Sequence, residues 1–88
     1  MEFKLRKIHD KNDSYTIGRL YLDRPYRFAR TYAKSLDEIK KNYSIRLEHD
    51  NYERFFTTGP IKKILFRSCE KYIVQTKYQH IYEITVTK

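Results

Sequence analysis

Residues 35–43 read SLDEIKKNY, and whether that stretch coils decides the fold class. Ser35 followed three residues later by Glu38 has the form of a capping box, in which Glu38 reaches back to the Ser35 N–H. Asp37 and Glu38 suit the positive end of a helix dipole, and Lys40, Lys41 and Asn42 suit its other end. The spacing predicts a short capped helix near 36–43, with Leu36, Ile39 and Tyr43 on its buried face. Phe28 and Tyr32 extend the same helical stripe upstream, so 26–33 is open to a helical reading. A cap at Ser35 would serve nothing inside a continuing helix, which favours a strand there.

On both sides of this segment the dominant signal is short, alternating, β-rich runs broken by turn residues. Strands are expected at 2–8, 15–22 and 26–33, then at 44–49, 52–57, 61–67, 71–77 and 80–87. Polar residues 9–14, Asp23-Arg24-Pro25, Asp50-Asn51 and Gly59-Pro60 punctuate them. Gly18 inside the second run suggests a bulge or a close backbone approach. The last three runs look like an antiparallel meander, and Tyr82, Ile84 and Val86 alternate with Glu83, Thr85 and Thr87. The expectation is an α+β fold: an antiparallel, β-rich single domain over 1–88, with about six to eight short strands and one short helix. Such a sheet could close into a partial barrel. Three strands, a helix and further strands is also the chain order of the OB-fold, although the strand count here is higher.

Eighty-eight residues close one hydrophobic core. Cys69 is the only cysteine, so no intramolecular disulfide supports that core, and a reducing, cytoplasmic setting is expected. The opening MEFKLRKIHD has no long apolar stretch of the signal-peptide kind. No run reaches the roughly 18–20 apolar residues that span a bilayer.

The chain carries 19 Lys and Arg against 11 Asp and Glu, a net charge of +8, and so attracts polyanions. The charge is uneven: +5 over 1–34 (nine basic, four acidic), −1 over 35–60 (four and five) and +4 over 61–88 (six and two). If the two ends pair in space, they form one basic face. Cations alternate with rings along the strands: Arg24, Tyr26, Arg27, Phe28, Arg30 and Tyr32, then Arg67, Lys71, Tyr72, Lys77, Tyr78 and Tyr82. Cations track phosphates and ring faces stack bases, so this pattern suits single-stranded nucleic acid. Tyr and Arg also dominate protein interfaces, so the same residues suit a protein partner. The candidate contact set is Arg24, Tyr26, Arg27, Arg30, Tyr32, Arg67, Lys71, Lys77 and Tyr78. The blander alternative makes the rings core and the cations a solvated face.

Catalytic and metal chemistry find little support. His9, His49 and His80 lack a nearby second ligand, and in Glu48-His49-Asp50 adjacent strand residues point to opposite faces. Gly18 and Gly59 are isolated and build no phosphate loop. Glu38-Ile39-Lys40 imitates part of a nuclease motif but falls on the expected helix with no partner Asp. No cofactor, metal or small-molecule substrate is expected.

The stretch MEFKLRKIHDKNDSYTIGRLYLD resembles the opening strand pair of an uncharacterised family of small phage-type proteins with a recurring TIG-x-LY-x-D pattern. That family's His/Gly/Cys segment has no counterpart here. In general character the chain is similar to phage and mobile-element accessory proteins, anti-CRISPR proteins among them. The resemblance implies a non-enzymatic inhibitor that engages a nucleic-acid-handling machine, either an effector nuclease or its guide RNA. Two alternatives stand beside it. One is a freestanding single-stranded RNA- or DNA-binding domain. The other is a ribosome-dependent mRNA endonuclease of the RelE type, which the chain resembles in size and charge but not in architecture, since such toxins follow their first strand with a helical hairpin and residues 9–34 here read as turn and strands.

Overall fold

The computed structural model describes residues 2–8, 15–25, 30–48 and 55–87. The two ends of the chain meet at its centre. Strand β1 (Phe3–Lys7) pairs antiparallel with the last strand, β8 (Ile81–Val86), placing Phe3 opposite Val86 and Leu5 opposite Ile84. Period-2 alternation decides which side faces inward: Phe3 and Leu5 are buried, as are Tyr82 and Ile84 on the partner strand.

On its other edge β1 pairs with β2 (Tyr15–Asp23), the longest strand. The first part of β2, Tyr15–Gly18, belongs to β1. Its second part, Arg19–Asp23, pairs with β4 (Ser44–Glu48), and Tyr21–Asp23 also pair with β3 (Arg30–Tyr32). Gly18 is buried at this change of partners, and no register irregularity accompanies it. Short β5 (Phe55–Thr57) closes the β4 side. Beyond β8 the meander expected at the C-terminus is present, with β7 (Lys71–Thr76) followed by β6 (Ile61–Arg67) as the terminal strand. The order is β5-β4-β2-β1-β8-β7-β6, with every pairing antiparallel and β3 attached to β2.

Both halves of this sheet contribute to one core. Leu20, Leu22, Ile45 and Leu47 come from one side and Phe3, Leu5, Val74 and Ile84 from the other, with Ile61 between them. Burying each such side chain contributes about 1.5–3 kcal/mol. Phe56 of β5 meets Tyr82 of β8 edge to face at 5.8 Å, an aromatic contact across the core.

The helix expected at 36–43 does not form. Leu36–Glu38 make a single 3-10 turn, and no α-helix occurs among the described residues, so the architecture is antiparallel β rather than α+β. The capping residues act, but on that one turn. The Glu38 carboxylate accepts from the Ser35 N–H at 3.2 Å and the Lys34 N–H at 2.5 Å, whereas the Ser35 hydroxyl donates to Asp37. Ile39 then turns extended, at φ −72° and ψ 126°, and Asn42 takes the left-handed conformation at φ 73°. An eight-residue helix is marginal by itself. Here the Asn42 N–H, which a second turn would direct back to the Glu38 carbonyl, donates to the Ile61 carbonyl instead. Leu36 and Ile39 are nevertheless buried, and Tyr43 is half-buried, as their spacing suggests.

The remaining differences are at boundaries. Residues 30–32 are strand, which removes the helical option there, while 26–29 lie outside the described residues, as do the turn at 9–14 and residues 52–54. No helix among the described residues is long and apolar enough to cross a membrane.

Candidate functional site: a cationic groove beside the terminal strand

The segment that fails to coil builds one wall of a groove. Between β5 and β6 the chain crosses the entry to β4, and two backbone hydrogen bonds fasten it there. The Ile61 N–H donates to the Tyr43 carbonyl at 2.9 Å, and the Asn42 N–H donates to the Ile61 carbonyl at 2.8 Å. Past this clasp the outer edge of β6 and residues 37–41 diverge, enclosing a groove of about 630 Å³. Its apolar lining is Ile39, Ile64 and Leu65, and around these stand Lys40, Lys41, Lys63 and Arg67. The one acid among the described lining residues, Asp37, accepts the Ser35 hydroxyl.

What sets these cations apart is that four of them gather around one groove with a single described carboxylate, Asp37, among them. Among the described residues, Lys40, Lys41, Lys63 and Arg67 make no ion pair. Elsewhere carboxylates are already engaged. Glu83 sits between Arg6 (3.6 Å) and Lys71 (4.0 Å) on neighbouring strands, and Glu48 accepts from Arg46 (2.8 Å) and approaches Arg30 (3.7 Å). Four cations over an aliphatic surface could hold an anion that also carries apolar groups.

The residues singled out from sequence are not brought together. Arg24, Arg30 and Tyr32 lie around β2 and β3. Arg24 faces the Tyr43 ring at 5.8 Å, Arg30 is tied to Asp23 at 3.1 Å, and Tyr32 packs edge-on against Tyr21 at 5.5 Å. Arg24 and Tyr32 line a smaller pocket of about 200 Å³ on the other side of the 3-10 turn, which shares Asp37 and Lys40 with the groove. Tyr26 and Arg27 fall outside the described residues. Arg67 and Lys71 flank the β6–β7 turn, whereas Lys77 and Tyr78 occupy the β7–β8 turn at the opposite end of β7. Of the seven that are described, Arg67 alone lines the groove.

The exposed rings sit elsewhere and largely have company. Lys4 lies 4.6 Å from the centre of Tyr15, Lys71 lies 5.5 Å from Phe66, and the Arg46 guanidinium stacks 3.6 Å from Phe55. Tyr78, at 68% exposure, is the most open ring among the described residues, yet it folds against Gly59.

Sequence reasoning missed Lys40, Lys41 and Lys63 because the first two belong to the segment that is neutral overall. The available signal was two dibasic pairs, Lys40-Lys41 and Lys62-Lys63, each just after a turn. Among the described residues no three His, Cys, Asp or Glu side chains gather as a metal site, and His9, His49 and Asp50 lie outside them. No family model matches the chain, and neither does any curated protein or solved structure.

Proposed function

We propose that this chain is a non-enzymatic binding domain that captures an acidic partner in the groove between residues 37–41 and β6. The observation that carries the reading is the clustering of Lys40, Lys41, Lys63 and Arg67, without ion pairs, around one apolar-floored groove. The net charge of +8 supplies the long-range attraction, and the groove supplies the place where it is spent. Nucleic acid, or a protein complex that handles it, is the polyanionic partner this charge favours. Action as an inhibitor of such a complex, in the manner of an anti-CRISPR protein, is the biological role we assign.

The test is a binding panel of single-stranded RNA, single-stranded DNA and acidic peptides, titrated at low and physiological salt. Binding to at least one of them should weaken steeply with salt. It should also fall by on the order of tenfold or more when Lys40 and Lys63 are both changed to Glu. A chain that binds none of them at low salt, or binds with no response to that charge reversal, overturns the proposal.

A further inference from the structure

We infer that the occupant of the groove is an extended acidic peptide segment of a partner protein, which adds as a strand to the outer edge of β6. This rests on the groove being the binding site, and it specifies which class of acidic ligand fits there.

Both polar groups of Ile61 are satisfied on the outer side, by Tyr43 and Asn42. From Lys62 to Arg67 that support ends. Among the described residues, none of these backbone groups is hydrogen-bonded on the side away from β7. β6 is the terminal strand, so it presents an open ladder, and the groove runs along it. A strand of about six residues, at roughly 3.3 Å per residue, spans the interval from Lys63 to Arg67. Addition of a strand to an open edge takes its affinity from main-chain bonds and its specificity from alternate side chains.

The side chains then select the occupant. β6 carries Lys62, Lys63 and Arg67 and no acid, so a second copy of β6 would set like charges against one another. Two register shifts, at Ile61/Lys63 and Ile64/Phe66, bend this edge, so a free peptide can follow its course while a second copy of β6, already fixed in its own sheet, cannot. An acidic strand reverses the sign of the electrostatic contribution. Its acids would face Lys40, Lys41, Lys63 and Arg67, and its alternate apolar residues would cover Ile39, Ile64 and Leu65. Leu65 is 49% exposed and gains most from that cover. Single-stranded nucleic acid fits less well, because among the described residues no aromatic ring lines the groove to stack a base.

The test uses a peptide of about six residues alternating Glu with Val, two derivatives of it, and a single-stranded oligonucleotide. The derivatives carry N-methyl groups on alternate amides, one set for each edge of the peptide. The parent peptide should bind and slow amide exchange along Lys63–Arg67. One methylated derivative should lose at least tenfold in affinity, while the other binds like the parent. Lys63→Glu should weaken the parent in the same way. If both derivatives bind like the parent, the capture is electrostatic without strand addition, and the inference fails while the binding function stands. If the oligonucleotide binds and the parent peptide does not, the inference fails and a nucleic-acid partner takes its place. If neither binds, the inference and the proposed function fall together.

Discussion

Gly59 lies so close to the ring of Tyr78 that a Cβ on it would meet Cδ2 at 2.5 Å and Cε2 at 2.6 Å. Its φ is not positive, so an L side chain suits the backbone and only the ring stands in the way. The contact holds the β7–β8 turn against the crossing that leads into β6, a crossing also bonded through the Lys77 N–H to the Pro60 carbonyl at 2.9 Å.

This contact sets the sign of a double substitution. Gly59→Ala should destabilise the chain by about 1 kcal/mol, because overpacking outweighs the entropy removed from the unfolded state. With Tyr78→Ala as the background, the same change should stabilise, since the obstacle is gone. Urea midpoints of the four proteins give both values. A loss of similar size in both backgrounds would show that the ring is not what excludes a side chain at 59.

Two buried threonines should respond in opposite directions to the same near-isosteric change. The Thr58 hydroxyl accepts the Ile45 N–H at 3.1 Å and donates to the Gly59 carbonyl at 2.9 Å. Thr58→Val strips a partner from both groups and should cost about 1–3 kcal/mol. The Thr76 hydroxyl is fully buried and has no partner among the described residues. Thr76→Val should therefore be neutral or stabilise by up to about 1 kcal/mol. Chemical denaturation ranks the pair, and equal losses at the two sites would refute the contrast.

Glu83 is the carboxylate that joins β1 to β7 across β8, through Arg6 and Lys71. Glu83→Gln leaves two cations on either side of a neutral amide. The expected loss is roughly 0.5–1 kcal/mol at low ionic strength, because all three side chains keep partial contact with water. Salt should shrink the deficit by screening the exposed repulsion. A deficit independent of salt would assign the role of Glu83 to packing.

Burial raises the Tyr82 phenol above its ordinary value of 10.0. Once pH passes that value, the unfolded chain gives up this proton while the folded chain retains it. The folded state then holds more protons, so stability contributed by Tyr82 is complete below about pH 10 and declines as pH rises beyond it. Tyr82→Phe lacks this linkage. Denaturant midpoints for the two proteins should diverge between about pH 9 and 11, with the native chain losing ground to the variant. Parallel curves would mean that the phenol ionises equally in both states.

The strands were legible because their pattern is local. Alternation in 80–87 marked Tyr82 and Ile84 as inward, and the same logic located β1, β2, β4, β6 and β7 to within a residue or two. Residues 35–43 show where local signals mislead. Every capping and charge preference there is real, and the Glu38 carboxylate does take backbone donors. A helix nonetheless needs several turns to offset its nucleation, and the bonding of Asn42 and Tyr43 to Ile61 stops the segment after one.

The sequence by itself determined the strand alternation that turns Phe3, Leu5, Tyr82 and Ile84 inward and how much positive charge the chain carries, because each depends on residue identity and near neighbours. Only the tertiary structure decided which cations share a surface. Lys40 and Lys41 meet Lys63 and Arg67 because Ile61 is bonded to Asn42 and Tyr43, and no periodicity encodes that contact between distant segments. The basic character of the chain was thus local information, while its concentration in one groove is a product of strand order.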